Sequence, residues 1–305
     1  MFTILISMFS GVALGILFRR KPFKYIQVII TLLIWVLLFL LGLEVGQNDR
    51  IVHSLPTLGL EALLISCSAL IGSIFFAYQL WKWVSKKKES SVNGFESEEK
   101  EPRFSKFGGV VIVGFFLLGM LSGLFHLLSF GPFLNDISMY ALEGLMFSVG
   151  FSLGNDSQIL HKFRSVSPRL ALLPFLTIAG TLLGSLVLGS ILRHYSLMEY
   201  MAVGSGMGYY SLSSVLITGY KGAELGTIAL LSNLFREIIT LIFAPFLVRW
   251  FGPLASITAG GATTMDTTFP IIIRVSGSQF AMVSVFHGFI TDFSVLFLVT
   301  FFCSF

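Results

Sequence analysis

Long apolar runs separated by short polar breaks fill this chain from its first residues to its last. A helix needs roughly 20 apolar residues to cross a bilayer. Eight runs meet or approach that length, at about 1–18, 25–43, 57–81, 107–128, 138–153, 170–192, 223–248 and 280–304. Two further stretches, 195–222 and 252–278, are apolar enough to enter a membrane but are interrupted by glycines, hydroxyls and a proline. The pattern predicts an all-α polytopic membrane protein with about eight transmembrane helices plus two broken or re-entrant segments.

Composition removes the soluble alternatives. Of 305 residues, 55% are hydrophobic and 12% charged, and the mean hydropathy is +0.86. Residues 82–106 hold 12 of the 36 charges, so 24 remain for the other 280 positions. That supply cannot cover a water-soluble surface. A soluble enzyme, a nucleic-acid binder and a disordered scaffold are all disfavoured. Cys67 and Cys303 sit in apolar stretches without metal or redox spacing, so neither a disulfide framework nor a metal site is expected. The run 1–18 lacks a basic start and a cleavage site, and is expected to be a retained span.

The net charge of +4 carries less information than where the basic residues stand. Arg19, Arg20, Lys21 and Lys24 follow the first span, which predicts a cytoplasmic loop and an external N-terminus. Counted onward, cytoplasmic loops collect 16 of the 20 Lys and Arg, if both odd stretches re-enter and leave by the same face. Both termini then lie outside. Treating each odd stretch as one crossing moves Lys221 inside and Arg249 outside, and the sequence leaves both readings open.

Spans one to three echo spans four to six. Gly11 and Gly15 match Gly119 and Gly123, and Gly42 and Gly46 match Gly150 and Gly154, all at one constant offset. Asn48–Asp49 matches Asn155–Asp156, and Pro56 and Pro168 each open a third span, where the offset has drifted slightly. An odd number of spans per copy inverts the second copy, a plan common in secondary transporters. The expected organisation is a three-helix repeat over 1–85, a cytoplasmic linker over 86–106, an inverted repeat over 107–194, and a transport core over 195–305. In that core a broken stretch followed by a long span occurs twice, a layout similar to elevator-type carriers.

Chemistry concentrates in the core. Gly206, Gly208, Tyr210, Ser211 and Ser213 lie in Gly204–Ser214, where alternating glycines and hydroxyls rule out an ordinary lipid-facing helix. Thr264 and Asp266 lie in the matching stretch Gly260–Pro270. Exposed helix ends at membrane depth offer N–H groups to an anion or carbonyls to a cation; close helix packing is the plainer alternative. Glu237 sits near the middle of its span, the costliest depth for a charge. Asn233 shares its face, while Arg236 points about 100° away, so Asp266 or Asp156 is the expected partner of Arg236. A buried ion pair that only holds helices together is the competing reading. Asp49 and Asp156 mark equivalent repeat ends and could equally be helix caps. Glu44 and Glu143 are second-rank carboxylates, Asp292 is central in the last span, and His287, one turn before it, reads as a packed histidine before a proton carrier.

Neither a Walker loop nor a GxSxG or HExxH pattern is present. An intramembrane hydrolase stays formally open, but repeats explain alternating access and do nothing for a single catalytic dyad. Gly206-Met-Gly-Tyr-Tyr-Ser-Leu-Ser213, Asn233-Leu-Phe-Arg-Glu237, Gly261-Ala-Thr-Thr-Met-Asp266 and His287-Gly-Phe289 together resemble the bacterial LysO lysine exporter family. The resemblance is strongest over about 200–290 and implies export of L-lysine and toxic lysine analogues across the cytoplasmic membrane, with Glu237 and Asp49 as the acidic residues to watch. Expected partners are L-lysine or a similar cationic amino acid, protons and membrane lipids. No nucleic acid and no cofactor is expected, and a homodimer is compatible with the layout. Proton antiport by alternating access is the expected mechanism; a carrier for another small amino acid or organic ion is the alternative.

Overall fold

The computed structural model describes residues 2–18, 25–47, 49–89, 106–128, 133–155 and 167–305. All regular structure among them is helical. The main helices are α1 (Phe2–Leu17), α2 (Ile26–Gln47), α3 (Asp49–Glu89), α4 (Lys106–Leu124), α5 (Phe133–Asn155), α6 (Leu173–Leu192), α7 (Leu197–Gly204), α8 (Tyr210–Lys221), α9 (Ala223–Phe251), α10 (Leu254–Gly260), α11 (Phe269–Ser276) and α12 (Ala281–Cys303). Short 3-10 turns lie at Pro168–Leu172, Gly261–Met265 and Ser278–Phe280. Among the described residues six helices are long and apolar enough to cross a membrane, and the shorter apolar helices Ile6–Leu17 and Gly114–Leu124 stand where the first and fourth spans are expected. The protein is an all-α polytopic membrane protein. Helix α3 starts before Pro56 and continues through it, so this proline opens the apolar span without opening the helix.

The chain divides into two compact units, residues 1–53 with 104–166, and residues 54–103 with 167–305. In the first unit α1 packs on α5 and α2 on α4. The glycines that mark the repeat make these contacts. Gly11 and Gly15 press on the backbone of Phe147 and Phe151, and Gly42 and Gly46 on that of Phe116 and Met120. Their equivalents in the second copy reciprocate: Gly119 and Gly123 meet Phe39 and Leu43, and Gly150 and Gly154 meet Met8 and Val12. At each of these eight positions a methyl group would collide with a neighbouring carbonyl, so the small residues set how close the helices come.

In the second unit α3 crosses α6 where Gly72 touches Gly180, a further glycine pair at the offset of the repeat. Ser68 Oγ donates to the Gly184 carbonyl at the same crossing. Beyond α6 the chain makes two hairpins. The first leg, α7, returns antiparallel along α6, with Tyr200 against Gly189 and Gly204 against Ser185. The second leg, α8, comes back to where the first began: Lys221 pairs with Glu199 at 3.9 Å, and the Tyr195 hydroxyl donates to Glu224 at 2.6 Å. The second hairpin closes likewise at the other end of α9, where Ser276 Oγ donates to the Pro253 carbonyl at 2.9 Å and lies 2.6 Å from Ser256 Oγ. Trp81 marks that end, with Gly252 and the ring of Phe280 against it. Both odd stretches therefore leave by the face they entered, which resolves the alternative left open by the sequence.

Candidate functional site

The hairpins enter the second unit from opposite ends and their tips meet. Ala262 N–H donates to the Met207 carbonyl at 2.9 Å, and Gly261, at φ +61°, packs on that same carbonyl. A side chain at position 261 would be strained in conformation and would also strike the first tip. Two residues of α9 hold the arrangement. Asn233 accepts the Gly208 N–H at 2.8 Å, and its amide donates to the Val203 and Ala229 carbonyls at 3.2 and 3.0 Å and to Ser213 Oγ at 3.3 Å. Gly206 lies flat against this amide. One side chain thereby satisfies backbone freed by the break in the first hairpin.

Arg236 does the same for the second hairpin. Its Nε donates to the Ala259 carbonyl and its Nη2 to the Thr258 carbonyl, both at 2.9 Å, while Nη1 donates to Thr181 Oγ1 at 3.1 Å. These carbonyls end α10, the negative pole of a helix stopped inside the bundle. The guanidinium is 2% exposed. These bonds go to carbonyls and a hydroxyl, where Asp266 was the expected partner. The other expected partner, Asp156, lies outside the described residues.

Beside this cap runs a chain of hydroxyls and one imidazole. Thr177 Oγ1 lies 2.6 Å from Thr258 Oγ1 and 2.8 Å from His287 Nε2. His287 Nδ1 lies 3.0 Å from Thr264 Oγ1, which reaches the carbonyls of Gly261 and Ser284 at 2.9 and 3.1 Å. His287 is fully buried, and the chain joins the first leg and the tip of the second hairpin to α6 and α12.

Glu237 follows Arg236 and is equally buried. Asp266 closes the 3-10 turn of the second tip, partly covered, with Oδ1 accepting the Thr267 N–H at 2.6 Å. Tyr210 and Ser211 begin α8, Tyr210 partly covered and Ser211 exposed. Asp49 is the exposed first residue of α3 and belongs to the first unit. Thus Asn233, Arg236, Gly206, Gly208, Ser213, Thr264, Asp266 and His287 gather at the hairpin tips. Sequence reasoning passed over Thr177 and Thr181. The signal was there: Thr177, Thr181 and Ser185 recur on successive turns of α6 beside Gly180, and all are buried.

Away from the tips, the closure of the first hairpin holds a tyrosine with an altered acidity. Burial, reinforced by its bond to Glu224, pushes the Tyr195 hydroxyl above the usual tyrosine range.

Helical spans, paired hairpins and buried polar groups where the tips meet define a multi-pass membrane protein with a polar centre. The sequence profile of the lysine exporter LysO family matches residues 5–93 and 113–303, and the chain belongs to that family. It is 28% identical over 287 residues to the lysine exporter LysO of Escherichia coli K12, covering 93% of this chain and 92% of that protein. It is 31% identical over 173 residues to a putative lysine exporter of Haemophilus influenzae, covering 57% of this chain and 87% of the relative. No solved structure matches.

Proposed function

We propose that the protein is a secondary transporter that exports L-lysine and lysine analogues across the bacterial cytoplasmic membrane, by alternating access in exchange for protons. The observation that carries this reading is the meeting of two broken-helix tips, with Asp266 closing the second and the buried Glu237 next to Arg236 in α9. Lysine presents two ammonium groups and one carboxylate. The carboxylates of Asp266 and Glu237 are acceptors for the first. The helix starts that follow each tip, with Tyr210 and Ser211 at one of them, offer N–H donors to the second. Asn233 and Arg236 hold the tips in shape, and a membrane carboxylate that holds substrate and proton in turn supplies the coupling.

The glycine contacts that recur in both copies support two inverted three-helix repeats ahead of the core. The distribution of Lys and Arg supports external termini, with the first hairpin opening outward and the second inward. Family membership supports lysine as cargo. Proteoliposomes loaded with labelled lysine provide the test. Wild-type vesicles are expected to release lysine faster under an opposing proton gradient, and Glu237→Gln to slow release at least tenfold. Release indifferent to the gradient would remove proton coupling, and undiminished release by Glu237→Gln would remove that residue from the mechanism.

A further inference from the structure

The two hairpin-and-span modules of the core repeat each other in register. Gly222 (φ 92°, ψ 171°) and Gly277 (φ 100°, ψ 151°) share one unusual backbone shape at the same place, just after the returning leg of each hairpin. The residue before each glycine fastens its hairpin base, Lys221 to Glu199 and Ser276 to Pro253 and Ser256. Equally far beyond the two glycines stand Glu237 and Asp292. Glu237 is the central residue of the 29-residue α9, and Asp292 the central residue of the 23-residue α12.

The surroundings of Asp292 point the same way. Ser284, Gly288 and Asp292 form one row along α12, on successive turns. Ser284 Oγ donates to the Thr264 carbonyl at 2.8 Å. A methyl group at Gly288 would lie 2.7 Å from Met265 N and 2.8 Å from Thr264 Oγ1. The row thus runs along the second hairpin tip, and Asp292 comes one turn after the residue that touches it. Tyr209, at the end of the first tip, is within electrostatic range of both Asp292 and Asp266. Asp292 is half-buried and makes no hydrogen bond or ion pair among the described residues. A half-buried carboxylate at mid-span is costly, and a cation that reaches it lowers that cost.

We propose that Asp292 is a substrate-recognition residue, the counterpart of Glu237 in the second module, whose carboxylate receives an ammonium group of a dibasic amino acid. The inference rests on the export reading above. In lysine-loaded proteoliposomes, Asp292→Asn is expected to raise the KM for lysine at least tenfold while kcat changes less than threefold, and Asp292→Glu to recover most of the loss. Lysine is expected to raise the Tm of the purified wild type but not that of Asp292→Asn, whose Tm without lysine stays at the wild-type value. An unchanged KM and an unchanged lysine-induced Tm shift overturn the proposal, and so does a loss confined to kcat. Should Asp292→Asn fail to accumulate, Asp292→Glu decides, because an unaltered KM there also overturns it. Wild-type vesicles that release no lysine would strike the functional reading itself, whereas normal wild-type release with an unaffected Asp292→Asn strikes this inference alone.

Discussion

The two units are held together by opposite means. In the first, glycines let α1 meet α5 and α2 meet α4 backbone to backbone, and Ser148 is the one buried polar side chain among its described residues. In the second, the centre is polar: Asn233, Arg236, Glu237, His287 and a set of threonines are all buried there. An interlock of small apolar residues depends on shape and has no charge to rearrange. A polar centre depends on every donor finding its acceptor, and breaks wherever one partner is removed. Shape holds the first unit, as it does the α3–α6 crossing of the second, and hydrogen bonds hold the second unit's centre.

Three substitutions test that contrast, beginning with the most damaging. Arg236→Met leaves two carbonyls and a hydroxyl alone in the core, at about 1–3 kcal/mol for each buried group left unpaired. The expected result is a loss of roughly 3 kcal/mol or more in denaturant unfolding, together with loss of transport; a variant of wild-type stability would show that the cap does not hold the second hairpin. Gly46→Val forces α2 away from α4, an overpacking that costs about 1–3 kcal/mol. Its Tm is expected to drop while the KM for lysine, measured on the folded fraction, stays put. A shifted KM would end the division of labour between the units. Tyr195→Phe removes one hydrogen bond at the base of the first hairpin, worth about 0.5–1.5 kcal/mol.

The same tyrosine gives a pH test. Its acidity in the folded protein is weaker than in the unfolded chain, so folding keeps a proton that the unfolded state loses above about pH 10. Stability is therefore untouched by this group below that pH and falls as pH rises beyond it. Tyr195→Phe should flatten part of this alkaline decline in a pH series of thermal melts, and an identical slope in the two proteins would count against the bond.

Much of this was legible in the chain itself. The glycine pairs that recur at one offset announced where helices touch, because a position that tolerates only hydrogen leaves the same trace in both copies. The hairpins were half legible. Glycine-rich breaks in 204–214 and 260–270 say that a helix stops, but the direction in which it resumes depends on contacts such as Tyr195 with Glu224. The partners of Arg236 were not legible. Its acceptors are the carbonyls of Thr258 and Ala259, which every residue carries and no composition reveals. The match of Asp292 to Glu237 was not legible, because it emerges only when Gly222 and Gly277 are seen to adopt one conformation.

The threonine and histidine chain fixes a proton position that no heavy atom displays. The Thr264 hydroxyl spends its single hydrogen on the carbonyls of Gly261 and Ser284, so toward His287 it can only accept. The ring hydrogen must then sit on Nδ1, and Nε2 must take the hydrogen of Thr177. Thr177, its hydrogen used, accepts from Thr258. Nothing is left for the 3.4 Å approach of Thr258 to the Ser73 carbonyl, which becomes the one unfilled place in the line. Six contacts share four hydrogens while the ring is neutral, Thr264 dividing its own between two carbonyls, and the gap falls at the longest of them, against α3.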